Sequence, residues 1–127
     1  MPARVHGFVE RFYSGEATGH QVSVREGGER FPLALRADLR QHSSAFAWGL
    51  SVDPGCAQLA LALLADALGD DARAMRLQEA FRLRLVELLP ERWTITRSRI
   101  LAHVKLLEYQ MGASAAHHDI VSRVVLE

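Results

Sequence analysis

Residues 54–68 read PGCAQLALALLADAL, and only Gln58 and Asp66 interrupt the apolar body of that segment. A helix that is apolar nearly all round is buried on several sides, so this one is expected to be the central rod of the core. Its ends are marked. Asp53 can accept bonds from free backbone N–H groups as the N-cap. Pro54 suits the first helical position, where its missing N–H costs nothing. Gly69 can close the helix in a left-handed conformation. The many alanines let neighbours approach closely. Gln58 is expected to tie a loop or a sheet edge to the helix, since a buried amide needs partners. A chain of 127 residues suits one domain.

A second helix is expected after Asp70-Asp71, two acids placed at the positive end of its dipole. Leu77, Phe81, Leu85 and Leu88 recur at helical spacing, and Pro90 ends the helix. Arg73, Arg76, Arg84 and Glu87 fall together as its polar face. Arg82 instead falls on the apolar arc between Met75 and Leu89. There it either snorkels outward over its own stem or pairs with Asp66 or another buried acid. A third helix begins after Trp93, capped by Thr94 or Thr96. Ile100, Leu101, Val104 and Leu107 form its buried stripe.

Ahead of the helices, residues 4–9 (RVHGFV) and 21–25 (QVSVR) have the β-branched content of strands. SGEATGH lies between them as a turn, and Glu26-Gly27-Gly28-Glu29 is a second turn after which Arg30-Phe31-Pro32-Leu33 can pair. Pro32 belongs at a strand end or an edge, because it has no N–H for the ladder. A sheet this small needs a helix on one face. Residues 34–52 read as an ordered connection whose aromatics, Phe46 and Trp48, plug the core. The expected fold class is therefore α+β. One domain spans 1–111, with a small antiparallel N-terminal sheet of two to three strands packed on a three-helix unit. The C-terminal tail, 112–127, offers IVSRVV at 120–125 as a short strand, and its last two residues resemble a cloning scar.

Lys plus Arg and Asp plus Glu number 15 each. This balance argues against coating nucleic acid or membranes by bulk attraction, but is compatible with a local basic patch. There is no apolar stretch of signal-peptide or membrane-span length, so a cytoplasmic bacterial-type protein is expected. Cys56, the one cysteine, reads as a small buried hydrophobe. The competing reading is a catalytic thiolate at a helix N-terminus, which the nearby charge of Asp53 opposes. His117-His118 diverge on a strand or a helix, and no HExxH or His/Cys cluster occurs, so no metal and no cofactor are expected. His42, Ser43 and Ser44 lack a G-x-S-x-G elbow. His42 and Ser43 are expected to bond the backbone of the connection and hold Trp48, and no catalytic residue is expected. Trp48 and Trp93 read as core pieces rather than base-stacking platforms.

Taken in order, PLALRADLRQHSSAFAWG, AQLALALLADALGDD and LPERWTITRSRIL resemble an uncharacterised bacterial family known only as a domain of unknown function. Its members carry a stretch like W-G-Y-G-G-S-G-P-A-Q-L-A-L-A, and the resemblance spans roughly residues 4–107. The family's glycine-rich loop stands here as Leu50-Ser51-Val52-Asp53-Pro54-Gly55-Cys56. A glycine cradle for phosphate is largely lost, whereas a helix cap is kept. The resemblance supplies no activity, and it implies interaction rather than metabolism, with a mobile-element origin.

The leading functional expectation is a non-enzymatic protein-interaction module of regulatory or anti-defence type, with a protein partner and no membrane. The second is a nucleic-acid binder using Arg73, Arg76, Arg84, Arg97 and Arg99. The third is a small-molecule or nucleotide site beside the start of the apolar helix, where backbone N–H groups gather. Its contacts would be Arg36, His42, Ser43 and Trp48.

Overall fold

A computed structural model describes residues 8–16, 20–49 and 52–126, with side chains as far as residue 112. The chain is α+β. Its elements run β1 (Arg11–Glu16), β2 (Gln21–Glu26), β3 (Glu29–Pro32), α1 (Pro54–Leu68), α2 (Asp71–Arg84), β4 (Arg92–Thr96) and α3 (Arg97–Leu126), with a 3-10 turn at Val86–Leu88 between α2 and β4.

The apolar segment forms α1 with both caps in place. The Asp53 carboxylate accepts from Gly55 N at 2.7 Å. Gly69 takes the left-handed conformation, φ 64°, and its N–H reaches Ala65 O at 3.0 Å. Every residue from Leu59 to Leu64 has zero exposure. Its closest packing partner is α2, which presents Ala74, Leu77 and Phe81, while Ile100, Val104 and Leu107 of α3 join the same core.

The sheet has four strands, not two or three, in the order β3-β2-β1-β4, all antiparallel. The added strand is β4, residues that the sequence reading gave to a loop and a helix cap. RWTIT alternates as a half-buried strand should: Trp93 and Ile95 are buried, and Arg92 and Thr94 are exposed. Thr96 still caps α3, accepting from Arg99 N at 3.0 Å.

The expected strand at 4–9 is also displaced. Residues 1–7 lie outside the described part, Phe8 and Val9 are not in a strand, and β1 starts at Arg11. Ser14, Gly15 and Glu16, read from sequence as turn residues, are mid-sheet, where Ser14 faces Ser23 on one side and Thr94 on the other. Gly15 is there because Trp93 lies on it: a Cβ at that position would sit 2.6 Å from the indole. The β2–β3 hairpin follows its turn signal, with Glu26 opposite Glu29 and Gly27 at φ 62°.

Two helix ends differ from the sequence reading. α2 stops at Arg84 instead of running to Pro90, because Leu85 leaves helical geometry at φ −130°. The 3-10 turn that follows buries Val86 and offers its carbonyl to Gly49 N at 3.1 Å. The change of phase leaves Leu88 66% exposed rather than in the stripe. The tail does not form a strand: backbone 112–126 continues α3. Extending an existing helix needs no new nucleus, and Ala113, Ala115 and Ala116 are strong helix formers.

Arg82 pairs with Glu79 and Glu87. Asp66, the alternative acid, belongs to another network. Arg11 grips it with two bonds of 2.7 and 3.0 Å, and Tyr13 donates its hydroxyl to it at 2.6 Å. Burial and the Asp66 carboxylate push the Tyr13 phenol above its usual pKa. A raised folded-state pKa stabilises the fold below the unfolded value, near 10, and that contribution is lost as pH rises beyond it. Urea melts should therefore show stability that falls above about pH 10. Tyr13→Phe should start lower by about 1–3 kcal/mol, for a lost bond to a charged acceptor, and decline less steeply.

Candidate functional site

Each of the four expected ligand contacts is engaged with protein neighbours. Arg36, at φ 61°, bridges Asp38 and Asp71 with both closest approaches at 3.0 Å, and so staples the connection to the start of α2. The backbone N–H groups of His42 and Ser43 both donate to Gln58 Oε1, at 2.6 and 3.1 Å. The His42 ring meets Gln78 Oε1 at 2.8 Å, and Ser43 Oγ accepts from Ala45 N at 3.2 Å. Trp48 donates to Glu91 O at 3.2 Å and stacks edge-on against Trp93, centroids 5.6 Å apart, with His20 on its other side at 5.5 Å. These residues organise the connection. A cleft of about 620 Å³ does lie beside it, but His20, Phe31, Leu35 and Phe46 form its walls and none of the four lines it.

Gln58 is the hub of this region and has no exposed surface. Besides its two accepted bonds, its Nε2 donates to Leu35 O at 2.7 Å and to Arg40 O at 3.0 Å. One amide thus pins both limbs of the 35–43 loop to α1.

The arginines of the helical face are mostly engaged. Arg73 forms a two-bond pair with Glu108, which also faces Arg76 at 3.8 Å. Arg84 donates to Gln110 Oε1 at 2.9 Å, and Arg97 donates to Ala67 O at 2.7 Å. Arg99 differs, standing at the mouth of a groove beside β4. The Cys56 thiol is buried, and burial with the charges of Glu87 and Asp53 pushes its pKa up. His117 and His118 lie beyond the described side chains. Among the described residues no group of His, Cys, Asp and Glu has metal-binding geometry, and no helix is long and apolar enough to cross a membrane.

The two sheet edges are unlike. Leu33 N donates to Val22 O at 2.9 Å, which fixes the phase of the ladder. Val22, Val24 and Glu26 turn their backbone groups toward β3, so Gln21, Ser23 and Arg25 turn toward β1. Carried across the sheet, Trp93 and Ile95 bond β1, and Arg92 and Thr94 turn their N–H and C=O outward. At the other edge the outward positions of β3 are Arg30 and Pro32. That edge is short, charged and lacks a donor at Pro32, features that resist strand addition.

Among the described residues the centre of the β4 edge, at Thr94, has no proline, no charge and no further strand beside it. It borders a groove of about 470 Å³, whose far wall is Leu85, Leu89 and Pro90 and whose lining includes Arg92 and Arg99 but no acid. Arg92 has only a distant pair, 3.8 Å from Glu16, with both side chains largely exposed. Such a pair contributes little. Sequence reasoning missed this edge; the alternation of RWTIT was the signal that pointed to it.

Residues 13–106 match the model of one protein family, described as a family of unknown function (DUF6166). No curated protein and no solved structure matches the chain.

Proposed function

The chain belongs to this family of unknown function, and on its geometry we propose that it is a non-enzymatic protein-interaction module that captures an extended segment of a partner by strand addition to β4. The observation that carries the reading is the open β4 edge facing an apolar, acid-free groove. A strand added there would satisfy the outward backbone groups of Arg92 and Thr94. Its alternate side chains would drop against Leu85, Leu89 and Ile95, and the intervening ones would emerge on the solvent side. Two guanidinium groups at the groove, Arg92 and Arg99, favour a segment with acidic residues at those intervening positions.

The test is fluorescence anisotropy with a labelled eight-residue peptide alternating valine and glutamate. Thr94→Pro removes the outward N–H while leaving the inward bonds of Trp93 and Ile95 to β1. Leu89→Asp places a charge on the groove wall. Each should weaken binding by about tenfold or more, a loss of roughly 1.4 kcal/mol, with unchanged circular dichroism. Binding by neither wild type nor variants, or equal binding by all three, would remove the proposal.

A further inference from the structure

The outer face of the sheet carries a second feature, which meets the β4 edge at Arg92 and Thr94. Every buried sheet residue points to the helices; the outer positions are Phe12, Ser14, Ser23, Arg25, Arg30 and Thr94 among others, and none of them is buried. Arg25 and Arg30 are directly opposite each other on β2 and β3. Like charges in that relation destabilise a sheet. Neither has a carboxylate in ion-pair range among the described residues. Arg25 lies over the Phe12 ring, 4.6 Å from its centroid, and Arg30 donates to Ser23 Oγ at 3.3 Å. Elsewhere the chain pairs Arg11, Arg36, Arg73 and Arg82 with acids. Arg25 and Arg30 are thus two adjacent cations with no acid in ion-pair range among the described residues. The two arginines border a hollow of about 270 Å³, together with Ser14, Ser23 and Thr94 and, at its other end, Glu16 and Arg92, which face each other at 3.8 Å, and Ser14 and Thr94 hydroxyls are 3.0 Å apart.

We propose that this face binds single-stranded nucleic acid through its phosphates. The guanidinium forks of Arg25 and Arg30 take a phosphate between them, which relieves their mutual repulsion. The hydroxyls of Ser14, Ser23 and Thr94 bond adjacent sugar and phosphate oxygens. Arg25, stacked on Phe12, presents a flat cationic plate to a base. A row from Thr96 through Phe12 and Arg25 to Arg30 crosses all four strands, about 14 Å at the usual strand spacing. That is too broad for a duplex major groove, about 12 Å wide, which admits a two-stranded ribbon. An unpaired strand can lie flat on it.

The experiment is anisotropy with a fluorescein-labelled twelve-residue oligothymidylate across a range of salt. Binding should be measurable at low salt, with log K falling against log salt at about −0.7 for each phosphate held. The double variant Arg25→Ala, Arg30→Ala should lose about tenfold or more in affinity and flatten the slope by about one phosphate's worth. Its melting temperature should hold or rise, because the opposed charges are gone. Arg73→Ala and Leu89→Asp should bind as wild type, the latter separating this face from the groove at β4. Three results would overturn the proposal. One is no binding at low salt. Another is an undiminished affinity in the double variant. The third is equal binding of polyglutamate, which marks an indiscriminate anion surface.

Discussion

Replacing Gln58 with leucine should lower the unfolding free energy by about 3–5 kcal/mol, measured by urea melts at neutral pH. The shape is roughly kept, so the cost is polar. Four backbone groups lose their partner at once: the N–H of His42 and Ser43 and the C=O of Leu35 and Arg40. An unpaired buried group costs about 1–3 kcal/mol, and the loop recovers part of the total by swinging some of these groups into water. That movement is itself a readout. Amide exchange at His42 and Ser43 should accelerate even where the rest of the core stays protected. Gln58→Glu should not rescue, since a carboxylate keeps the acceptor but turns a lone pair toward two carbonyls. A loss below about 1 kcal/mol would mean that the loop needs no anchor.

Leu63→Ala should cost about 2–5 kcal/mol through the cavity it leaves. Leu63 has no exposure, and Leu59, Leu61 and Leu64 on the same helix have none either, so the gap cannot be filled by turning a neighbour in from solvent. The expected signature is a lower denaturant midpoint with an unchanged m-value. Against a typical domain stability of about 5–15 kcal/mol, either this change or Gln58→Leu leaves a protein near the edge of folding.

The features legible in sequence share one property: their signals are local. Asp53-Pro54 and Gly69 mark α1 because caps depend on residues within a turn. The pair Gly27-Gly28 marks the β2–β3 hairpin for the same reason. Gln58 was legible as a tie, because a lone amide in an apolar helix must find partners. The partners themselves, four groups spread over the 35–43 loop, were not. The misread elements depend on distant chain. Ser14 and Gly15 look like turn residues until β4 arrives beside them, 80 residues later in the case of the Ser14–Thr94 bond. Thr94 looks like a helix cap until the same pairing claims it for a strand, whereas Thr96 ends the strand and caps α3 as well. The end of α2 at Arg84 was hidden because Leu85 and Leu88 continue the helical spacing. The 3-10 turn is held by bonds that spacing does not report, from Gly49 N to Val86 O and from Arg82 to Glu87.

The alternation of RWTIT marks β4 as a strand, but its place at the edge of the sheet and the outer arginine pair depend on pairing with distant chain. The arginines that drew notice, Arg73, Arg76 and Arg84, cluster in sequence and meet Glu108 and Gln110 of α3 in space. Arg25 and Arg30 are unremarkable in sequence, and only strand register sets them face to face without an acid. Sequence alone determined that an apolar helix capped at Asp53 and Gly69 had to be enclosed, since so much apolar surface leaves no other stable arrangement. Tertiary structure decided how many strands the sheet has, which strands end it and, among the described residues, which arginines lack an acid. Those outcomes are set by contacts between residues far apart in the chain, and no local propensity encodes them.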